Sequence, residues 1–176
     1  MKPIIETERF IIREILPIDA EGMFLLDSDP EVVKYVGHPP LSNIQQSVDV
    51  IAFIRKQYQT NGIGRWAVIL KADNTFVGWA GLKLVTESTN HHINYYDLGY
   101  RFQQAHWGKG YATEVCRAII DYAFQQMQLH EIFAITDVDN AASRHILEKL
   151  GFQFKEIFSF DDSPTTWYHL TSSTGQ

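Results

Sequence analysis

The stretch that decides the fold is HWGKGYATEVCRAIIDYAFQQM, residues 106–127. Gly108 and Gly110 flank a lysine, and the residues that follow are apolar at the spacing i, i+3, i+4, i+7 and i+8. This period predicts a helix over 112–127 with one apolar face, which needs a sheet to pack against. The residues of that face are Ala112, Val115, Cys116, Ile119, Ile120, Ala123, Phe124 and Met127.

The glycine loop before this helix is a candidate anion site. The first-turn N–H groups of a helix have no partners within the helix, and the helix dipole is positive at that end. Two glycines before a helix also suit a simple tight turn. The loop lacks the Gly-Lys-Ser/Thr of a Walker motif, and Thr113 stands where a dinucleotide-binding loop has its third glycine. Phosphate binding and a plain turn therefore both remain open at this point.

The segments around the loop predict a mixed α/β sheet. Runs with strand character precede the loop, and residues 131–136 form a strand after the helix. Strand, loop, helix and strand make a βαβ unit, whose two strands should be parallel with a right-handed crossover. The predicted strands are 9–16, 65–71, 75–85, 95–102, 131–136, 152–160 and 165–171, and the predicted helices are 20–28, 30–36, 42–61, 112–127 and 141–150.

Side chains at the predicted helix starts fit the capping rules. Asp19, Asp29 and Asn140 are predicted N-caps, because a short polar side chain can accept a hydrogen bond from the first turn. Ser42 and Gln45 have the spacing of a capping box.

Composition limits the class of protein. The 176 residues, 45% hydrophobic and 20% charged, predict one globular domain over 1–170 with a flexible tail at 171–176. The net charge of -6 argues against a nucleic-acid partner, which would favour a basic face. We expect a cytoplasmic protein without a membrane partner, because the sequence shows neither a run of about twenty apolar residues nor a signal sequence. The single cysteine, Cys116, excludes an internal disulfide, and no histidine pair has metal-ligand spacing, so no metal is expected.

Four ordered segments resemble one known family. They are ETERFIIRE (6–14), YDLGYRF (96–102), WGKGYATE (107–114) and DNAASRHILEKLGF (139–152). This set is similar to the GNAT superfamily of acetyl-CoA-dependent N-acetyltransferases. Within it, the chain resembles the branch that includes the enzymes acetylating ribosomal-protein N-termini at alanine or serine.

The resemblance implies a fold and a place for the cofactor. It implies a mostly antiparallel, twisted sheet of six to seven strands flanked by about four helices. The fourth and fifth strands, 95–102 and 131–136, should be parallel and splay apart where the fourth carries a bulge. Backbone groups at Leu98, Tyr100 and Phe102 would then be free to pair with the pantetheine arm of acetyl-CoA.

The resemblance also assigns the glycine loop to the pyrophosphate of acetyl-CoA. The family pattern Gln/Arg-x-x-Gly-x-Gly/Ala is matched at Gly110 and Ala112, while Trp107 replaces the Gln or Arg. Backbone amides of 108–113 can close on the phosphates, with the charge of Lys109 nearby. The residues implied to bind acetyl-CoA are Leu98, Gly99, Tyr100, Phe102, Trp107, Gly108, Lys109, Gly110, Tyr111, Ala112, Thr113, Asn140 and Ser143.

The implied reaction is direct attack of an amine on the thioester, which needs a neutral amine, a stabilised oxyanion and a leaving thiolate. Asp97 is the candidate base, because it lies where family members keep a glutamate; the alternative is an ion pair with a neighbouring Arg or Lys. Many members carry a tyrosine acid where this chain has Leu147. Ser143 is the candidate substitute hydroxyl, and the alternative is a polar first-turn residue that contacts the cofactor or the backbone. Cys116, on the apolar helix face, is interpreted as packing rather than as a nucleophile.

Three functions remain open from the sequence. The branch resemblance favours acetylation of a protein or peptide α-amine. A small amine such as a polyamine, an amino sugar or an antibiotic would be favoured by an acidic acceptor pocket with residues such as Glu31, Glu87 or Asp162. A non-catalytic acetyl-CoA-binding module is the third, because the tyrosine acid is missing. Residues 29–42 resemble the acceptor-side region of the family, and the protein is expected to be a monomer or a homodimer.

Overall fold

The computed structural model describes residues 4–173. The predicted tail, 171–176, falls only partly within them. Thr171 is the last residue of a strand, and residues 174–176 lie outside the described part. The flexibility of the tail therefore stays a prediction.

The elements follow the order that the hydrophobic period predicts. The structure adds one strand of two residues at the start of the chain, which is too short to show a period. The strands are β1 (Ile5–Glu6), β2 (Phe10–Glu14), β3 (Trp66–Leu70), β4 (Thr75–Val85), β5 (Tyr95–Phe102), β6 (Glu131–Asp137), β7 (Gln153–Phe160) and β8 (Ser163–Thr171). The helices are α1 (Ala20–Asp27), α2 (Pro30–Val33), α3 (Ile44–Asn61), α4 (Tyr111–Gln125) and α5 (Ala141–Lys149).

Within residues 4–173 the eight strands form one sheet in the order β1-β2-β3-β4-β5-β6-β8-β7. β5 and β6 pair in parallel, and the other neighbouring strands pair antiparallel. The mixed sheet and the parallel pair predicted from the sequence are thus confirmed.

β5 and β6 separate almost as soon as they meet. Their register contains a single pair, Asp97 with Phe133. The predicted bulge on β5 is wrong, because β5 pairs with β4 over its whole length without a register shift. Gly99 faces Gly81 in that register, so the two strands pair there without side chains. The shift lies instead between β3 and β4, beside Val68.

The two faces of the sheet carry different helices. Alternate residues of β3 show this: Trp66 and Val68 belong to the core under α4, whereas Ala67 and Ile69 pack with α1 and α3. The apolar face predicted for α4 is confirmed. Its buried residues are Val115, Cys116, Ile119, Ile120 and Ala123.

Two predicted helix starts are corrected by the structure. The capping box of α3 uses Asn43 and Gln46, one residue later than predicted, and the Gln46 amide oxygen also accepts from the N–H of Ser42 at 2.8 Å. Asp19 precedes α1 without capping it by its side chain, because its carboxylate pairs with Arg13 and accepts from the N–H of Leu16.

Two predicted caps hold, although one helix is shorter than expected. Asp29 accepts from the N–H of Glu31 and Asn140 from that of Ser143. α2 ends at Val33 and makes a single turn. In the described part of the chain, no helix has both the length and the apolar character needed to cross a membrane.

Candidate active site

A cleft of about 650 Å³ opens where β5 and β6 separate. Its walls come from α2 and the three residues after it (34–36), the end of β5, the glycine loop, and α5 with its N-cap. Most of the residues predicted to bind the cofactor lie together on these walls. They are Tyr100, Phe102, Trp107, Gly108, Gly110, Tyr111, Ala112, Thr113, Asn140 and Ser143.

The remaining predicted cofactor residues lie outside the lining of this cleft. Leu98 is buried in the core under α4. A side chain at Gly99 would collide with the guanidinium of Arg65, since its Cβ would lie 2.6 Å from Nη2. Lys109 belongs to the loop but lies outside the cleft lining, and its ammonium is 6.0 Å from the ring centre of Tyr111.

The glycine loop has the geometry of an anion site. Gly108 and Gly110 have φ angles of 71° and 76°, in the left-handed region that favours glycine. Gly110 is the N-cap of α4, and no side chain caps the first turn. The first-turn N–H groups therefore keep their capacity to bind an anion in the cleft.

The turn between β1 and β2 contacts the glycine loop and the first turn of α4. The carboxylate of Glu114 accepts from Arg9 Nε at 2.6 Å and from the Thr7 hydroxyl at 2.7 Å. Arg9 Nη1 donates to the carbonyl of Lys109 at 3.0 Å, and the guanidinium lies 4.7 Å from the ring centre of Tyr111. Partial burial opposes ionisation of Glu114, but the hydrogen bonds from Thr7 and Arg9 outweigh it and lower the pKa. Residues 6–14 carry part of the family resemblance, but the sequence alone predicts no role for Arg9 at the loop.

Arg9→Met is expected to raise the dissociation constant of acetyl-CoA about tenfold, which corresponds to about 1.4 kcal/mol. The variant frees the Lys109 carbonyl and removes the charge partner of the Glu114 carboxylate in the first turn, near the predicted phosphates. Isothermal titration calorimetry measures the change. Arg117→Met is the matched control, because it removes the same charge from an exposed position on α4 outside the cleft lining. Equal affinities for the two variants would contradict the role of Arg9.

Asp97 makes the ion pair that the sequence left open as an alternative. Its Oδ2 lies 2.5 Å from Arg65 Nη2, and Arg65 Nη1 donates to the carbonyl oxygens of Asp97 and Gly81. Asp97 is 8% exposed and lies outside the cleft lining. Burial raises the pKa of Asp97, and Arg65 opposes this rise. Among residues 4–173 no group forms a hydrogen bond to the buried Oδ1, and the role of Asp97 as base stays a prediction.

Trp79 connects this ion pair to a second one at the cleft. The guanidinium of Arg65 lies 5.5 Å from the Trp79 ring and that of Arg101 lies 5.0 Å from it. Arg101, on the cleft wall, pairs with the buried Asp27 at 2.5 Å. The indole therefore fixes both guanidinium groups beside the point where β5 and β6 separate.

Ser143 contacts Tyr100, for which the sequence analysis predicted only a backbone contact with the cofactor. Ser143 Oγ lies 2.9 Å from the phenol oxygen of Tyr100. Leu147, in the position of the family's tyrosine acid, is 1% exposed and belongs to the core. Burial raises the pKa of Tyr100, so its phenol stays protonated at neutral pH. A Tyr on the strand and a Ser on the helix thus supply hydroxyl groups where Leu147 supplies none.

Trp107, interpreted from the sequence as packing, is 46% exposed and makes a polar contact. Its indole Nε1 donates to the carbonyl of Phe102 at 2.8 Å. This carbonyl oxygen therefore already has one donor, and its contact with the pantetheine arm stays a prediction. No sequence signal marks this contact, because an indole donor does not reveal its acceptor.

The cleft is not the acidic acceptor pocket that would favour a small amine. Glu31 lies on its wall, whereas Glu87 and Asp162 do not. Residues 31–36 lie there as the resemblance implied. In the described residues, no group of three or more His, Cys, Asp or Glu side chains is arranged to hold a metal ion.

Comparison with known proteins decides the family. Residues 9–153 match the family described as acetyltransferase (GNAT) domain. The chain belongs to the GNAT acetyltransferases. The N-acetyltransferase YoaA of Bacillus subtilis, itself uncharacterized, is 32% identical over 153 residues, covering 87% of this chain and 84% of YoaA. This GNAT protein is an acetyl-CoA-dependent N-acetyltransferase, so the enzyme class predicted from the sequence is confirmed.

Solved structures with the same fold include enzymes named for different acceptors. A ribosomal-protein-S5-alanine acetyltransferase from Vibrio fischeri has a TM-score of 0.73 at 17% identity, covering 98% of each chain. A spermidine N-acetyltransferase from Vibrio cholerae, in complex with CoA and spermine, has a TM-score of 0.76 at 17% identity, covering 95% of this chain and 98% of its own. The GNAT fold is common to both, and it does not choose between their acceptors.

Proposed function

We propose that this GNAT enzyme acetylates the N-terminal α-amine of a peptide or protein. The observation that carries the proposal is the charge of the cleft. Among the described residues, Glu31 is the one carboxylate on its walls, whereas Lys34 and Lys149 bring positive charge; the charge of Arg101 is paired with Asp27. A polyamine carries several positive charges and is recognised best by several carboxylates. A peptide N-terminus brings a single amine charge.

The position of the candidate base supports the same choice. An α-amine has a pKa of about 7.7–8.0, so a large share is neutral near pH 7.5, whereas about one lysine-like alkylamine in a thousand is neutral there. The candidate base, Asp97, is buried and paired with Arg65. A site with such a base suits the amine that needs the least deprotonation.

In the proposed reaction the amine nitrogen attacks the thioester carbon directly, in a ternary complex. Backbone N–H groups of 108–113 bind the pyrophosphate, and β5 faces the pantetheine arm. The tetrahedral intermediate collapses, the C–S bond breaks, and its electron pair leaves with the sulfur as thiolate. The proton lost by the amine passes to water hydrogen-bonded to Asp97. The products are the acetylated amine and coenzyme A.

The proposal also covers the domain bounds, the compartment and the oligomeric state of the enzyme. Residues 1–170 act as one domain, with 171–176 as its tail. The enzyme works in the cytoplasm as a monomer or a homodimer.

A panel of acceptors tests the choice of amine, with release of free thiol from acetyl-CoA as the readout. Peptides that begin with alanine or serine are expected to react at least about ten times faster, in kcat/KM, than spermidine, an amino sugar or free lysine. The same peptides with a blocked N-terminus are the matched controls, because they keep every side chain. Faster turnover of spermidine or of the amino sugar would favour the small-amine function. Tight acetyl-CoA binding without turnover of any amine would leave the non-catalytic function.

A further inference from the structure

Two hydroxyl groups join β5 to α5 across the wall of the cleft. The phenol oxygen of Tyr100 lies 2.9 Å from Ser143 Oγ and 3.3 Å from the Ser143 carbonyl oxygen. Both side chains line the cleft. Within residues 4–173 the phenol makes its hydrogen bonds to Ser143 alone.

The number of hydroxyl protons on Tyr100 and Ser143 limits which hydrogen bonds the two side chains can donate. A phenol has one proton, and both acceptors of that proton belong to Ser143. When Tyr100 donates to Oγ, the hydroxyl of Ser143 keeps its own proton for a different acceptor. The main chain of Ser143 is already fixed, because its N–H donates to Asn140 at 3.2 Å. Tyr100 therefore restricts the direction in which the Ser143 hydroxyl can point.

The cleft needs such a donor where the thiolate forms. Coenzyme A leaves with the electron pair of the broken C–S bond on sulfur, and a hydrogen-bond donor stabilises that charge. Leu147, one turn after Ser143 on the same helix face, has no proton to offer. A hydroxyl that accepts a hydrogen bond is polarised and becomes a stronger donor itself.

We propose that Tyr100 is a positioning residue that directs the Ser143 hydroxyl to the sulfur of coenzyme A. This inference rests on the proposed direct transfer, but it does not depend on which amine is the acceptor. Tyr100 donates to Ser143 Oγ, and Ser143 donates to the sulfur. No proton needs to be transferred, because a thiol with a pKa of about 8.5 leaves as thiolate near neutral pH.

The test is a titration of the thiol of bound coenzyme A, followed by the ultraviolet absorbance of the thiolate. Desulfo-CoA complexes serve as blanks for the phenols and for Cys116. In the wild-type complex the thiol is expected to be about tenfold more acidic than in free coenzyme A titrated under the same conditions. Ser143→Ala should abolish this shift and Tyr100→Phe most of it. The double variant should match Ser143→Ala, because Tyr100 acts through Ser143.

Tyr96→Phe is the matched control, since Tyr96 lies four residues earlier on the same strand and face and outside the cleft lining. It should leave the titration unchanged, and thermal unfolding should show that each variant is folded. In a single turnover with any accepted amine, Tyr100→Phe should slow transfer about tenfold with the acetyl-CoA dissociation constant unchanged. The inference would be overturned if the thiol in the Tyr100→Phe complex titrated as in the wild type, or if the thiol pKa in the wild-type complex did not shift. A failed acceptor panel would leave this titration unaffected, so the two proposals can fail separately.

Discussion

Gly110→Val is expected to raise the dissociation constant of acetyl-CoA at least about a hundredfold, which corresponds to about 2.7 kcal/mol. The φ angle of Gly110 is 76°, which a β-branched residue adopts only with strain of about 1–3 kcal/mol. An added Cβ would lie 3.7 Å from Arg9 Nη2, so the two methyl groups beyond it would disturb either Arg9 or the space in front of α4. Both effects act on the loop proposed to bind the pyrophosphate. Calorimetric titration with acetyl-CoA measures the loss.

Gly62→Val is the control for backbone strain. Gly62 has a φ of 72° at the end of α3, and an added Cβ would have no atom within 4 Å. The two variants should therefore lose similar stability in thermal unfolding, while Gly62→Val keeps the wild-type affinity for acetyl-CoA. Equal affinities in both variants would show that the loop at Gly110 does not bind the cofactor.

The features of this site that the sequence predicted are local ones. The period of α4, the two glycines before it and the caps Asp29 and Asn140 depend on residues a few positions apart, so their spacing carries the information. Strand alternation predicted the sheet for the same reason, and the ordered motifs predicted the family. β1, with two residues, was too short for any pattern.

The features that the sequence missed depend on distant partners. Arg9 and Glu114 are 105 residues apart, Tyr100 and Ser143 are 43 apart, and Arg65 and Asp97 are 32 apart. A charged or hydroxyl side chain shows by itself what it can donate or accept, but its partner depends on how the sheet brings the elements together. The ion pair of Asp97 was expected as one alternative, yet only the structure identifies Arg65 as its partner and shows the second oxygen without one.

Arg65→Met is expected to lower the free energy of unfolding by about 3–5 kcal/mol, because it leaves a buried carboxylate unpaired. The carbonyl oxygens of Asp97 and Gly81 also lose their donor. Arg55→Met is the control: Arg55 pairs with Glu14 at 3.8 Å near the surface, where an ion pair contributes about 0–1 kcal/mol, and it donates one hydrogen bond to the Ile15 carbonyl at 2.9 Å. Chemical denaturation measures both variants. Equal losses would contradict a buried, energetically coupled pair at Asp97.

The same variant has a pH dependence with a definite sign. Burial already raises the pKa of Asp97, and removing Arg65 removes the group that opposes this rise. An acid whose pKa is higher in the folded state binds protons more tightly there, so its contribution to stability is present below the unfolded pKa and is lost as pH rises through the folded pKa. Arg65→Met should therefore be less destabilised at pH 5 than at pH 8. Adding Asp97→Asn should remove this difference.

Rate measurements on variants of Arg65 and Asp97 distinguish a catalytic base at Asp97 from a purely structural carboxylate. If Asp97 accepts the proton of the amine through water, Arg65→Met should shift the pH profile of kcat/KM to higher pH, because the carboxylate must first ionise. Asp97→Asn, which keeps a hydrogen-bond acceptor for Arg65, should lower kcat at least about tenfold and change the profile, with little change in acetyl-CoA affinity. An unchanged rate in Asp97→Asn would remove Asp97 from the mechanism. The ion pair with Arg65 would then be its whole function, and solvent water would have to deprotonate the α-amine.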